Sequence, residues 1–378
     1  MKNLVLTHAS ESIISTFNNI FLGIYFLKLT DGDIVSVVIF YLVRFLSTPI
    51  FSYLVNKKLN KKNIINVYRI GIFLNAISFI VLFIMKEKIV NYIYLYAIIT
   101  SFISMLYWQP YKSMIYNLKD DEEYKKFNAY NNIVGSIISI LSALGMGYII
   151  TTLSYYYVFA IVFIICLIAF LITFRIDIKE LFINKFENKN IIPLLKNKNA
   201  QKMYKMVFYE GVANCGALKT AFQLIVFLKF SSEFTLGSWN AVFSLLGIIT
   251  AILVKNKLKK DKYIQSYIIA ATTILISILP MIFNSSFVYF IIYTVVYNIS
   301  IQITTILMNS AIFNVKEVNI LNNCKLEYTF LQESIHAIRK SCWRRIIVNN
   351  CFNKSKFTKL AIGSRNSFAN NIITRIRI

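Results

Sequence analysis

The chain has little charge and little of the chemistry that metals, disulfides and ATP require. Only 15% of its 378 residues are charged and 57% are hydrophobic, which excludes an ordinary soluble globular domain. It has two histidines and five cysteines without a CxxC pair, so neither a zinc site nor a disulfide framework is indicated. The sequence also lacks a GxxxxGK[ST] phosphate loop, which excludes an ATP-driven pump complete in one chain. No catalytic constellation occurs, so the sequence predicts neither an enzyme nor a cofactor.

Long apolar runs fill most of the sequence instead. A helix needs about 20 mostly apolar residues to cross a bilayer, and runs of that length recur along the chain. They predict an all-α fold, a polytopic transmembrane helix bundle. A β-barrel would instead give short segments of alternating polarity. The ten predicted spans lie near residues 10–29, 34–55, 64–85, 91–116, 128–152, 155–174, 203–229, 237–255, 263–283 and 286–312.

Basic residues are concentrated in alternate loops of this predicted topology. With a cytoplasmic N-terminus, the inner loops include the basic segments 57–62, 175–205 and 255–262. The predicted outer loops carry single basic residues, namely Lys28, Lys86, Lys88 and Lys229. This positive-inside pattern predicts a multi-pass protein of the cytoplasmic membrane, in contact with the lipid bilayer. The basic residues behind the net charge of +24 lie in alternate loops, so nucleic acid is not a predicted partner.

One basic segment occurs twice, each time after an apolar run. "LVNKKLNKKN" begins at Leu54 and "LVKNKLKKDK" begins at Leu253, an offset of 199 residues. A Lys/Asn-rich composition can produce such a match by chance, but each copy follows the second span of a predicted half. The sequence therefore predicts two related helix bundles. The basic residues that define the two copies are Lys57, Lys58, Lys61, Lys62, Lys257, Lys259 and Lys260.

The order and spacing of these segments resemble the major facilitator superfamily. That family has a motif Gly-x-x-x-Asp-Arg-x-Gly-Arg-Lys between helices 2 and 3; "NKKLNKKN" keeps its basic residues and lacks its aspartate and glycines. "YNLKDDEEYKKFNAY", residues 116–130, resembles the family's acidic-then-basic loop after helix 4. The resemblance covers about residues 5–335. It implies an N-terminal six-helix bundle (1–175), a cytoplasmic linker (176–202) and a C-terminal bundle (203–338) with helices 7–10 and the start of helix 11.

A basic segment, 339–378, takes the place of the last helices that the resemblance implies. It contains ten Lys or Arg and no acidic residue, as a disordered or membrane-surface tail does. An alternative is a frameshift near Ile338, because AT-rich codons for "RKSCWRRIIVNNCFN" read one nucleotide later give an apolar, helix-like sequence. On this hypothesis helices 11 and 12 are incomplete and the truncated chain is inactive. Sequencing the gene tests the hypothesis.

Polar residues inside the spans are the candidates for substrate contact. In the family, helices 1, 4, 7 and 10 line the cavity, and polar side chains of this chain gather on those four spans. For any single amide, hydrogen bonding between helices is the commoner role, and Glu210 also fits the edge of the membrane. The candidates are Asn18, Asn19, Trp108, Gln109, Glu210, Asn214, Lys219, Gln223, Asn298 and Gln302.

Two further features stand out within the spans. Arg44 lies in the middle of the second span, too deep to reach the interface, and so requires a partner. The candidate partners are Glu11 and a carboxylate of the substrate. "GSIISILSALGMG" on the fifth span contains Gly135, Ala143, Gly145 and Gly147, which predict close helix packing.

The sequence therefore predicts a secondary transporter that moves a small organic solute by alternating access, driven by an ion gradient, with a proton as one candidate for the coupling ion. A lipid-linked oligosaccharide flippase is a second possibility, although it predicts neither a charged segment after span 6 nor a repeat. A non-transporting or inactive membrane protein is the third, predicted by the missing helices.

Overall fold

The fold is known from a computed structural model, which describes residues 2–116, 121–176, 185–198, 200–201, 204–205, 223, 227, 230–255, 263–283, 287–316 and 324–337. All regular structure in these residues is helical, as the sequence predicts. The first helix, α1, runs from Lys2–Thr16 through a π-helical turn, Phe17–Phe21, to Leu22–Leu29. The others are α2 (Ile34–Lys58), α3 (Ile64–Met85), α4 (Ile93–Tyr116), α5 (Asp121–Thr152), α6 (Tyr155–Thr173), a short α7 (Ile191–Lys196), α8 (Glu233–Lys255), α9 (Tyr263–Phe283), α10 (Phe287–Lys316) and α11 (325–337).

Local signals in the sequence set the turn between α1 and α2. Gly32 has a φ of 86°, a conformation that glycine adopts without steric cost. Asp33 then caps α2, because its side chain accepts hydrogen bonds from the backbone amides of Val35 and Ser36. The chain therefore reverses direction within four residues, and α2 lies antiparallel to α1.

Two helices begin earlier than the apolar pattern predicts. α1 starts at Lys2 rather than near residue 10, and α5 starts at Asp121 rather than near residue 128. In α1 the additional residues include Thr7, which is fully buried and forms a 2.9 Å hydrogen bond with the Tyr68 hydroxyl. Polar residues that pack inside the bundle extend the helix beyond the segment that hydropathy identifies.

Several helices have the length and composition of membrane spans. Among the described residues, five helical stretches are long and apolar enough to cross a bilayer. They are Asn3–Leu29, Ile34–Lys58, Ile64–Ile115, which contains α3 and α4, Tyr130–Thr152 and Tyr155–Thr173. Large apolar side chains such as Ile84, Leu141 and Leu171 are more than 60% exposed, as expected of a surface in contact with lipid.

We call α1–α6 the first helix group and α8–α11 the second helix group, in chain order. Phenylalanine rings fill the core of the first group, where Phe17 of α1 packs edge-on against Phe79 of α3 and Phe159 of α6. α5 and α8 form the most extensive contact between the groups. A Cβ added to Gly147 of α5 would lie 2.8 Å from the Glu233 carbonyl oxygen, so the close packing predicted for Gly147 is confirmed.

The segment between the two groups is also packed. Residues 185–198 contain α7, and the 325–337 helix, α11, lies against them through an apolar cluster that includes Leu194, Tyr328 and Leu331. The predicted bundle boundaries at residues 175 and 203, and the frameshift near Ile338, stay predictions. Residues 338–378 lie outside the described part of the chain.

Candidate functional site

The π-helical turn of α1 carries an exposed polar side chain, although the helix on either side of the turn is buried or half-buried. Of residues 7–27, all of them described, only Asn19 is exposed. Asn18 is half-buried, and its carbonyl oxygen accepts a 2.9 Å hydrogen bond from the Tyr41 hydroxyl of α2. The turn contacts α8 of the second helix group. Such π-helical turns occur often at functional sites, and this one carries the exposed Asn19.

Arg44 of α2 is half-buried in the middle of a membrane span. Its backbone carbonyl accepts a 3.0 Å hydrogen bond from the Thr48 hydroxyl. Its guanidinium forms no hydrogen bond or ion pair with Glu11 or with any other described residue. A guanidinium in this position has donors free for a ligand.

The structure places the two candidates of α4 in different surroundings. Trp108 is half-buried and packs edge-on against the His8 ring of α1, with ring centres 5.6 Å apart. Gln109 is fully buried, and its amide nitrogen donates a 2.7 Å hydrogen bond to the Ser52 hydroxyl. Its amide oxygen accepts a 2.9 Å hydrogen bond from the Asn56 side chain. The Gln109 side chain thus joins α4 to α2, while a role in substrate contact stays a prediction.

The candidates of the second helix group lie on α10 and on the seventh predicted span. Asn298 is half-buried and donates to the carbonyl oxygen of Thr294, at 2.8 Å. Gln302 lies one turn further on and packs against Gly247 of α8. Gln223 is buried, and its amide nitrogen has no partner among the described residues. Glu210, Asn214 and Lys219 lie outside the described residues.

Asparagines fold the loop that carries the first basic motif. The Asn60 side-chain oxygen accepts from the backbone amides of Lys62 and Asn63, and the Asn63 side-chain oxygen accepts from the Asn60 amide. This reciprocal turn forms without the glycines and aspartate of the family motif. Lys57, Lys58, Lys61 and Lys62 are all exposed. Lys257, Lys259 and Lys260 lie outside the described residues.

A buried acid joins the two groups at the end where α1 finishes. Glu233, at the start of α8, forms an ion pair with Lys28 of α1 and accepts a 3.2 Å hydrogen bond from the Tyr155 hydroxyl of α6. The Lys28 ammonium also lies 5.2 Å from the centre of the Phe227 ring. We call these four residues the Glu233 cluster.

A second set of contacts joins the groups at the opposite end. Lys112 of α4 forms an ion pair with Glu333 of α11. Nearby, the Tyr53 ring of α2 packs edge-on against Phe330 of α11, with ring centres 5.8 Å apart. We call these four residues the Glu333 cluster. The sequence analysis predicted neither cluster. The only sign of each in the sequence is a charged residue close to the end of an apolar span.

A long apolar bundle whose first and second helix groups are joined by ion pairs at both ends has the architecture of a membrane transporter. The family model described as Major Facilitator Superfamily matches residues 4–318. The chain belongs to the major facilitator superfamily and is a multi-pass membrane transporter, which confirms the resemblance and the fold class. Transporters of this family bind small-molecule substrates.

Solved structures with the same fold have low sequence identity to this chain. A bacterial homologue of the iron transporter ferroportin, in an outward-facing state, has a TM-score of 0.66 and 12% identity, covering 95% of this chain and 93% of its own. The nucleoside transporter NupG has a TM-score of 0.58 and 17% identity, covering 90% and 89%. The human organic anion transporter MFSD10 has a TM-score of 0.61 and 9% identity, covering 90% and 89%. No curated protein sequence matches the chain significantly. At these identities the likeness shows the fold alone.

Proposed function

We propose that the protein is a secondary active transporter that moves a small organic solute by alternating access, driven by an ion gradient. The observation that carries the proposal is the pair of contact clusters at opposite ends of the bundle. The Glu233 cluster and the Glu333 cluster each join the first helix group to the second. A carrier needs such a contact at each end, because the path between the groups opens to one side only while the other side is closed.

Both clusters have the physical character of contacts that open and close. In each, one ion pair of a lysine with a glutamate joins helices of different groups, and Glu233 is only 4% exposed. A partly buried ion pair gains little net free energy, because desolvation of the two charges offsets much of their attraction. Separating the helices rehydrates both charges, so the open and closed states differ by only a few kcal/mol.

The solute path is proposed to lie between the clusters. Asn19 is the exposed residue of the π-helical turn, which contacts α8, and Arg44 on α2 has free donors. Asn298 and Gln302 lie on α10 of the second helix group, and their contact with the solute is part of the proposal. An amide and a guanidinium suit a polar organic solute. Contact of Glu210, Asn214, Lys219 and Gln223 with the same solute is part of the proposal.

The proposed orientation follows from the basic loops. Lys57, Lys58, Lys61 and Lys62 are exposed at the end of the bundle where the Glu333 cluster lies. We place the protein in the cytoplasmic membrane with these loops in the cytoplasm. The N-terminus is then also cytoplasmic. The Glu233 cluster then closes the outer end of the path and the Glu333 cluster closes the inner end.

Locking each end in turn tests the proposal. Two double variants, Lys28→Cys/Glu233→Cys and Lys112→Cys/Glu333→Cys, are made with the native cysteines replaced by alanine. The full chain is reconstituted in liposomes that contain a pH-sensitive dye, and a panel of organic solutes is screened for solute-driven proton flux. We expect a short, reducible cross-linker to stop the flux in either double variant, and reduction to restore it.

The matched controls are the four single-cysteine variants, which are expected to keep their flux after the same treatment. Flux that continues with either end locked would refute alternating access between these groups. No flux for any solute in the unmodified chain would instead favour the non-transporting protein.

A further inference from the structure

Arg69 of α3 is a cation near one end of a membrane span, and no described carboxylate neutralises it. It lies in the second turn of α3, about 8 Å from the start of the helix at Ile64. The stretch Ile64–Ile115, which contains it, is apolar enough to cross a bilayer. None of the ion pairs among the described residues includes Arg69. A cation at this depth requires a counter-charge or water within reach of its side chain.

Neutral groups alone hold the Arg69 guanidinium in place. Its Nη1 donates a 3.2 Å hydrogen bond to the side-chain oxygen of Asn66, and its Nη2 donates a 3.3 Å hydrogen bond to the carbonyl oxygen of Thr173, the last residue of α6. Its Nε is covered and has no hydrogen-bond partner among the described residues. Arg69 is half-buried, and each Nη atom carries two N–H donors. The two hydrogen bonds therefore leave one donor on each Nη for a ligand.

Phenylalanine rings line the surface beside this guanidinium. Its central carbon lies 4.4 Å from the centre of the Phe174 ring. One turn further along α3, the Phe73 ring packs against Phe170 of α6, and the Phe170 ring packs against Phe174, each pair with ring centres 5.3 Å apart. Phe73 is 41% exposed and Phe174 is 58% exposed. We call these four residues the Arg69 surface, which crosses the contact between α3 and α6.

Further cations lie at the same end of the bundle. Arg175 follows the end of α6 and is exposed. The Asn3 side chain of α1 donates a 2.7 Å hydrogen bond to the Arg175 carbonyl oxygen, which fixes the backbone at this point. Lys61 and Lys62, both exposed, directly precede α3. The Arg69 surface thus combines an apolar part within the span with cations where the lipid headgroups lie.

We propose that the Arg69 surface is a binding site for an anionic phospholipid. The planar fork of the Arg69 guanidinium matches the oxygens of the headgroup phosphate, and the acyl chains lie along Phe73 and Phe174. Arg175 favours an anionic headgroup over a zwitterionic one. A soluble phosphate has no apolar part for the rings to contact, so the position of the surface within a span favours a lipid as the occupant.

Photolabelling of the unmodified full chain in nanodiscs locates the lipid. The probe is phosphatidylglycerol with a diazirine in its acyl chain, present at a low fraction in a phosphatidylcholine bilayer. We expect labelled peptides from residues 66–77 and 168–176, with labelling that excess phosphatidylglycerol competes away and inorganic phosphate leaves unchanged. Equal labelling of the exposed face of α5 around Leu141 would overturn the site. Competition by inorganic phosphate would overturn the lipid as its occupant.

Native mass spectrometry of variants tests the role of the guanidinium. Arg69→Gln should bind phosphatidylglycerol about tenfold more weakly than the wild type and leave phosphatidylcholine binding unchanged. Arg69→Lys, which keeps the charge and loses the fork, should bind with intermediate affinity. The matched control is Lys57→Gln, which removes the same charge from α2 at the same end of the bundle, where Lys57 lies over the Tyr53 ring.

The two lipids separate lipid recognition from a structural role of Arg69. If Arg69 served only to attach α3 to the end of α6, Arg69→Gln would weaken the binding of both lipids alike. That result, an equal loss in Lys57→Gln, or a full preference for phosphatidylglycerol in Arg69→Gln would overturn the proposal. If Arg69→Gln does not fold, the photolabelling of the unmodified chain decides.

Discussion

The contact between α5 and α8 supports a sharp test, because two glycines on α5 differ only in what lies beside them. A Cβ added to Gly147 would lie 2.8 Å from the Glu233 carbonyl oxygen and 3.2 Å from the Phe234 Cα. A Cβ added to Gly145, two residues earlier, would have nothing within 4 Å. Gly147→Ala therefore tests the helix contact, and Gly145→Ala is its matched control.

The size of the effect follows from these distances. Ordinary contact for a Cβ begins at 3.4 Å, so alanine at residue 147 requires α5 and α8 to separate by about 0.6 Å. Inserting a methyl group into a packed interface costs about 1–3 kcal/mol. Both substitutions gain about 1 kcal/mol of helix propensity, and this gain cancels in the comparison. Gly147→Ala should thus be about 1–3 kcal/mol less stable than Gly145→Ala.

Thermal unfolding of the two purified variants, followed by size-exclusion chromatography after heating, measures this difference. Unfolding of a membrane protein in detergent is commonly irreversible, so the rates of loss at one temperature are compared. We expect wild-type or slower loss for Gly145→Ala and faster loss for Gly147→Ala. Equal rates for the two variants would refute the close approach of α5 and α8 at Gly147.

Three further predictions concern the clusters, the core and the topology. Lys28→Glu should break the contacts of the Glu233 cluster and increase the labelling of a cysteine at that end of the path. Adding Glu233→Lys restores an ion pair of opposite polarity and should reverse the increase. Labelling that stays high in the double variant would contradict the ion pair. Gln109→Ala should destabilise the bundle by about 1–3 kcal/mol in the same heating assay, because it leaves the Asn56 amide buried without its acceptor; an unchanged rate would contradict this. Asn60→Cys should react with an impermeant thiol reagent only in inverted vesicles, and reaction in intact cells would overturn the orientation.

The sequence predicts the helices well because hydropathy reports burial in lipid directly. The starts of α2 and α6 follow from apolar runs and turn residues that are local in the chain. Polar residues are harder to place, because a helical position alone does not say which neighbour a side chain meets. The position of Gln109 on the fourth span predicts a cavity residue, yet its side-chain amide is hydrogen-bonded to Ser52 and Asn56.

Contacts distant in sequence were beyond prediction for the same reason. Lys28 and Glu233 are separated by 205 residues, and nothing local in the chain indicates that they meet. The turn at Asn60 and Asn63 shows the opposite case. Its reciprocal hydrogen bonds are local, and the two asparagines three residues apart were a readable signal.

The segment 185–198 contacts both helix groups, and its hydrogen bonds to the two groups differ in strength. The buried Glu327 carboxylate of α11 accepts hydrogen bonds from the Glu187 backbone amide, at 2.7 Å, and from the Asn190 side chain. On the other side, the Tyr53 hydroxyl of α2 donates to Asn188 at 3.3 Å in an exposed position. A hydrogen bond to a buried charge is the stronger of the two. If the helix groups separate as proposed, this segment is expected to move with α11. A fluorophore at the exposed Lys196 would then report the displacement of α11.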